Sequence, residues 1–170
     1  MLVPALLYKE EIEKEFARLL YTDEYFYYQG GHYTNTIPEI AKQEFNYGLI
    51  EYAIVDTQDS LLGYLGYRVD TETDTANSFG IISFTKGNAI IGKDLFEELE
   101  TLVHRHRRVE WRMYGGNPVE RHYDRFLKQH GGNKVVLHDV LKDKYGKYHD
   151  EVIYEILQKD EKKNNTLSTM

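Results

Sequence analysis

The chain has 170 residues and no cysteine. Disulfides, cysteine nucleophiles and thiolate metal sites are thereby excluded. A reducing compartment is the default for such a chain, so a cytoplasmic location is expected. No run of about 18 apolar residues is present, and no membrane partner is expected. The opening Met1-Leu2-Val3-Pro4-Ala5-Leu6-Leu7 lacks a basic start and runs straight into Lys9-Glu10-Glu11, unlike a secretory leader. Positive charge is scarce too: 21 Lys and Arg face 28 Asp and Glu, for a net charge of −7. Nucleic acid is therefore not an expected partner, because phosphate contacts need clustered cations. The tight basic run Arg105-His106-Arg107-Arg108 reads as the last turn of a helix, where cations suit the dipole. His104 and His106 point to different sides of that helix and cannot chelate as an i, i+4 pair, and no metal is expected. An acidic surface tolerates a cationic amine.

Apolar residues make up 41% and charged residues 29%, the composition of a globular chain. Residues 1–157 read as one domain, and residues 158–170 as a polar, frayed tail. Glu10 to Leu20 carries Ile12, Phe16, Leu19 and Leu20 at helical spacing. Thr22 or Asp23 can cap a second helix bearing Tyr25, Phe26 and Tyr28, stopped by Gly30-Gly31. A short helical turn up to Phe45 is expected after Ile37-Pro38. From Leu49 the period changes. Leu49 to Val55, Leu61 to Val69 and Ala76 to Phe84 read as an antiparallel meander. A helix with Ile91, Leu95, Leu99, Leu102 and Val103 on one stripe follows, then a strand from Val109 to Tyr114. A helix from Pro118 to His130 stops at Gly131-Gly132. Lys134 to Leu141 and Tyr148 to Leu157 are two final strands. The order predicts an α/β (α+β) fold: a mixed, mostly antiparallel sheet with a central parallel crossover and flanking helices.

Two junctions carry the chemistry. The first is Gly87-Asn88-Ala89-Ile90-Ile91-Gly92-Lys93, between a strand and a helix. It puts backbone N–H groups at a helix N-terminus, where phosphate oxygens bind well. The spacing also matches a P-loop up to Asp94, which cannot supply a hydroxyl to magnesium. A P-loop domain would further require alternating parallel βα units, which this chain lacks. The other reading of the loop is a pyrophosphate-binding turn, and a plain connection is the third. The second junction is Gly116-Asn117-Pro118-Val119-Glu120-Arg121-His122-Tyr123. Asn117 can cap the helix and Pro118 suits its first turn. Tyr123 shares a face with Val119, Phe126 and Leu127, so on spacing alone it reads as a core aromatic.

This second junction, with the element order from Leu49 to Leu157, resembles the GNAT superfamily of acyl-CoA-dependent N-acyltransferases, whose segment here is G-N-P-x-x-x-x-Y. The ending Tyr148 to Leu157 resembles the family's last strand. Against the family's pyrophosphate motif Q/R-x-x-G-x-G/A, Gly87 takes the Gln/Arg place, Ile90 the first Gly place and Gly92 the last; the last alone matches. After Tyr123, Phe126-Leu127-Lys128-Gln129-His130-Gly131-Gly132 is longer than the family's short Leu-Gly-Phe ending and lacks its Phe.

The resemblance implies acetyl transfer from acetyl-CoA to a primary amine, without metal and without a covalent enzyme intermediate. Tyr123 takes the family's general-acid place, and Asn117 a coenzyme or water contact. Ile82, Ser83 and Phe84 would offer main-chain groups to the pantetheine arm, and Gly87 to Lys93 would hold the pyrophosphate. Glu110 is a candidate base, alongside His122, His138 and His149; a salt-bridged Glu110 is the plainer reading. Tyr25, Phe26, Tyr27, Tyr28, His32 and Tyr33 could form an aromatic wall for the amine or simply pack on the sheet. A homodimer is possible. The variant glycine loop leaves a second reading open: a GNAT-like fold that has lost catalysis and serves as a coenzyme A sensor or interaction module.

Overall fold

The computed structural model describes residues 1–23, 28, 40, 48–143 and 145–158. The expected second helix, the turn near Phe45 and most of the aromatic cluster lie outside them. In chain order the elements are β1 (Leu2–Pro4), a 3₁₀ turn (Ala5–Tyr8), α1 (Lys9–Thr22), β2 (Leu49–Val55), β3 (Leu61–Asp70), β4 (Thr75–Ser83), α2 (Ala89–Arg105), β5 (Arg108–Tyr114), α3 (Glu120–His130), β6 (Asn133–Lys142) and β7 (Tyr148–Leu157). They build one seven-stranded sheet in the order β1-β2-β3-β4-β5-β7-β6. Every neighbouring pair is antiparallel except β4 and β5, which α2 connects. The expected fold is thus present. The strand β1 is an addition. It pairs Val3 with Ala53, and at three residues it is too short to announce itself by alternation.

The helices form where their apolar spacing demands it. α1 buries Ile12, Phe16 and Leu19, and α2 buries Ile91, Leu95, Leu99, Leu102 and Val103. Asn88 caps α2 by accepting the Ile90 N–H, and its last turn carries His104 and Arg105. α3 buries Tyr123, Phe126 and Leu127 and ends on Gly131 in the left-handed region, φ 72°. It begins at Glu120, not at Pro118. Asn117-Pro118-Val119 is spent on a turn in which Glu120 N–H bonds Asn117 O at 2.9 Å.

The two faces of the sheet bury different things. Under α2 and α3 lies the larger core, with Trp111, Tyr123, Phe126 and Tyr154 together. Trp111 stacks on Tyr154 with centroids 5.1 Å apart, a geometry favourable beyond area burial. Under α1 lies a smaller core around Phe16, Tyr64, Ile82 and Phe84. On that face β5 and β7 carry a charged cluster, Arg108, Glu110, Arg112, Glu151 and Glu155. Gln158 donates its N–H to Arg107 O at 2.8 Å. Among the described residues no helix is long and apolar enough to cross a membrane.

Candidate functional site

The parallel pair β4–β5 does not run its full length. Thr75 pairs with Arg108, Ala76 with Val109 and Phe79 with Trp111, and there the pairing stops. A bulge at Ser78, φ 55°, bends β4 at this point. Gly80 to Ser83 stay paired to β3 while β5 continues to Tyr114 without them. A cleft therefore opens between the C-terminal ends of two adjacent strands.

Which main-chain groups face the cleft follows from antiparallel alternation. Phe84 N–H donates to Leu62 O at 2.9 Å, so Phe84, Ile82 and Gly80 spend their main-chain groups on β3. Phe84 O also accepts from Arg18 Nη2 at 3.2 Å. Ile81 and Ser83 turn theirs the other way, towards the opening. This corrects the sequence expectation: of Ile82, Ser83 and Phe84, Ser83 alone presents main chain to the cleft, and Ile81 joins it. The Ser83 hydroxyl donates to Thr85 O.

The glycine loop continues from this edge. Gly87 has φ 71°, and a Cβ on Gly87 or on Gly92 would meet nothing within 4 Å. The main chain at both glycines is open to a close-approaching ligand. Asn88 Oδ1 takes the Ile90 N–H, which leaves the Ala89 and Ile91 N–H groups for an anion at the helix start. Ile90 occupies the place where the family motif has glycine, yet its side chain packs against the larger core and not over the loop. Lys93 is exposed and reaches Glu97 at 3.7 Å. Asp94 is buried and bonds the Met1 amine at 2.5 Å, a placement unlike the magnesium-side hydroxyl of a P-loop.

Across the cleft, the turn after β5 is fixed by Asn117. Its Oδ1 accepts the Val119 N–H at 3.1 Å, and its Nδ2 donates to Tyr28 O at 2.6 Å. Asn117 thus ties this turn to the segment before β2. Tyr123 follows on α3. Its ring lies against Phe96, Trp111 and Tyr154, with centroids 5.4–5.6 Å apart. Burial alone pushes the phenol above the ordinary tyrosine range, so it stays protonated near neutral pH. The core-aromatic reading of Tyr123 is therefore true whether or not the hydroxyl also acts.

Glu110 sits below the cleft, beside the paired part of β4. Arg108 Nη2 bonds one carboxylate oxygen at 2.7 Å, and Arg112 Nη2 the other at 3.0 Å. The bond to Glu110 is the main cause that holds the Arg112 guanidinium above its ordinary range. The geometry gives Glu110 to an ion-pair network, and it is not carried forward as a base. His122 lies on the outer side of α3, in a groove of about 640 Å³ between α2 and α3, where Arg121 Nε bonds its Nε2. The His138 side chain is 77% exposed on the edge strand β6.

His149 is different. Its side chain is only 9% exposed and its Nε2 lies 2.8 Å from Asp143 Oδ2, itself 4% exposed. Asp143 opens the β6–β7 turn, and its other oxygen accepts the N–H groups of Tyr145 at 2.9 Å and Lys147 at 3.0 Å. The hydrogen bond from His149 is the largest cause keeping the Asp143 carboxyl below its usual range, and the two N–H groups add to it. The His149 ring packs edge-on against Tyr114, the last residue of β5, and against Tyr28. The phenol of Tyr114 is pushed up by burial and by the charges of Asp143 and Glu151. A groove of about 390 Å³ opens here, lined in part by Gly115, Gly116, Glu120, His149 and Asp150. Sequence reasoning had His149 as one of three histidines and missed Asp143 and Tyr114. The available signal was an Asp opening a tight turn, Asp143 to Gly146, just before the strand that bears a histidine.

No family model matches the sequence, and no curated protein matches it. Solved structures do match in shape. A probable acetyltransferase of the GNAT family from Chromobacterium violaceum aligns over 92% of this chain and 85% of its own, with TM-score 0.58 and 18% identity. A spermidine/spermine N-acetyltransferase, SpeG, from Vibrio cholerae aligns over 67% and 68%, with TM-score 0.54 and 15% identity. A ribosomal-protein-alanine N-acetyltransferase from Escherichia coli aligns over 69% and 75%, with TM-score 0.54 and 15% identity. At such identities the likeness is one of backbone and not of side chains. The chain has the fold of the GNAT superfamily.

Proposed function

We propose that this chain is an N-acetyltransferase that moves an acetyl group from acetyl-CoA directly to a primary amine. The observation that carries the reading is the cleft, where β4 leaves β5 beyond Phe79 and Trp111 on a GNAT fold. The residues at its edge suit a coenzyme. Open glycines at Gly87 and Gly92, with the Ala89 and Ile91 N–H groups, would receive the pyrophosphate, and Lys93 would add charge. The main chain of Ile81, turned away from β3, would bond an amide of the pantetheine arm.

Acetyl-CoA, when bound, supplies a thioester whose carbon–sulfur bond breaks as the new carbon–nitrogen bond forms, with sulfur leaving with the electron pair. Tyr123 is the proton donor to that sulfur. Its raised pKa makes it a reluctant acid, so its contribution is a hydrogen bond to developing negative charge as much as a transferred proton. Asn117 holds the turn that positions α3, and with it Tyr123. The acceptor is a small-molecule or peptide amine, and the groove beside Gly115 and Gly116 is where it would enter.

The test is release of free thiol from acetyl-CoA by the full chain, with spermidine and an alanine-initiated peptide as acceptors. Amine-dependent thiol release with a matching acetylated product supports the reading. Acetyl-CoA that binds but is never consumed supports the second reading, a sensor, which the enclosure of Tyr123 favours.

A further inference from the structure

We infer that Lys134, on the edge strand β6, is a positioning residue for Tyr123: it locks the first turn of α3, and its removal lowers turnover through Tyr123. This rests on the acetyltransferase reading, in which Tyr123 gives a proton to sulfur. The Tyr123 ring is set by packing against Phe96, Trp111 and Tyr154. Packing has little direction, and a reacting group has to be held to within about 0.5 Å. Hydrogen bonds and ion pairs around the helix that bears it supply the direction.

Lys134 Nζ donates to Glu120 Oε1 at 2.9 Å and to Asp124 Oδ1 at 2.7 Å. These carboxylates stand one turn apart at the start of α3 and flank Tyr123 in the chain. Without an ammonium between them they repel, as like charges at i, i+4 do. Each carboxylate passes the restraint on. Glu120 Oε2 accepts the Gly116 N–H at 3.0 Å, which ties the helix start to the turn after β5. Asp124 Oδ1 accepts the Tyr154 hydroxyl at 2.8 Å, and the Tyr154 ring lies 5.6 Å from that of Tyr123. Lys134 Nζ also stands over the Tyr154 ring, 5.5 Å from its centre. Lys134 therefore reaches Tyr123 from two sides, through its helix and through its ring neighbour.

A solitary surface ion pair would not do this, because it holds one geometry weakly. Lys134 differs in being shared. Its side chain is only 26% exposed, and one ammonium serves two carboxylates and an aromatic face. His138, also on β6, bonds Asp150 of β7, so that contact stays within the β6–β7 pair. The contacts of Lys134 cross from the sheet edge to α3. Lys134 touches neither the sulfur nor the amine in this account. It acts by where it keeps Glu120, Asp124 and, through them, Tyr123.

The experiment is a double-mutant cycle in the full chain, with acetyl-CoA and spermidine or the alanine-initiated peptide. Lys134→Met keeps the aliphatic stem and removes the charge. Its kcat should fall about fivefold, with acetyl-CoA affinity within about twofold. Adding Lys134→Met to Tyr123→Phe should lower kcat by less than about twofold more, because the group it positions is already gone. Lys134→Arg keeps a cation that can bridge both carboxylates and should recover most of the rate. If Lys134→Met fails to fold, Asp124→Asn breaks the same bridge and should show the same coupling. A wild-type kcat in Lys134→Met, or losses that multiply in the double variant, overturns the assignment while leaving acetyl transfer intact. Failure of the wild type to bind acetyl-CoA is read first, before any variant, and overturns the acetyltransferase reading and this inference with it.

Discussion

The cleft between β4 and β5 and the turn between β6 and β7 are built in opposite ways. The cleft exists because interactions stop. Pairing ends at Phe79 and Trp111, and Gly87 and Gly92 have no neighbour where a Cβ would stand. The turn exists because interactions are saturated. Asp143 bonds Tyr145, Lys147 and His149 through its side chain, and Lys147 O and Gly146 N–H through its main chain. A long flexible coenzyme needs exposed main chain to bond with, which an unzipped strand provides. An imidazole held in one orientation needs a partner that cannot move, which a pinned carboxylate provides.

Substitutions on each side should therefore fail differently. The largest effect is expected at Gly92→Leu on the cleft side. Its backbone is unstrained and its surroundings are open, so thermal stability should hold while the acetyl-CoA dissociation constant rises about tenfold or more, read by calorimetry. Equal affinity in that variant would mean the loop is no cradle.

Tyr123→Phe is expected to have the next largest effect. It keeps the ring among Phe96, Trp111 and Tyr154 and removes only the hydroxyl. A drop in kcat of about tenfold with unchanged affinity is expected, the low end of acid catalysis, because burial has made the phenol a weak donor. A wild-type rate would return Tyr123 to the core alone.

A smaller effect, in stability, is expected at Asp143. Its carboxyl is held below the unfolded value of about 3.9, so its contribution is present above that pH and is lost as pH falls through the folded pKa. The melting-temperature gap between wild type and Asp143→Asn should be widest near neutrality and close in acid. A gap that persists there would mean the turn does not depend on the charge. The smallest effect is expected at Glu110→Gln, within about twofold in kcat. A collapse of rate there, with fold intact, would put a base on β5.

The sequence showed the two regions unequally, for the same physical reason that they differ. Main chain laid open needs glycine and a helix start close together, so Gly87 to Gly92 stood out in a single short window. A pinned side chain draws its partners from separate strands. Nothing local links His149 with Tyr114, or marks Asp143 as more than a turn residue. The order of strands and helices was legible because Ile91, Leu95, Leu99 and Leu102, and Val152, Tyr154 and Ile156, keep strict periods. β1 was too short to show a period, and the start of α3 moved to Glu120 because Asn117 bonds the turn ahead of it. Ile82 and Phe84 were misplaced at the cleft because alternation of main-chain bonds depends on the β3 register, which no pattern within β4 reveals.

The most direct test is a calorimetric titration of the folded chain with acetyl-CoA, run beside ATP with magnesium. The account predicts saturable, micromolar binding of acetyl-CoA at one site per chain and none of the nucleotide. Failure of acetyl-CoA to bind a chain shown to be folded would contradict it. The parting of β4 and β5 would then be a feature of the fold without a coenzyme to fill it.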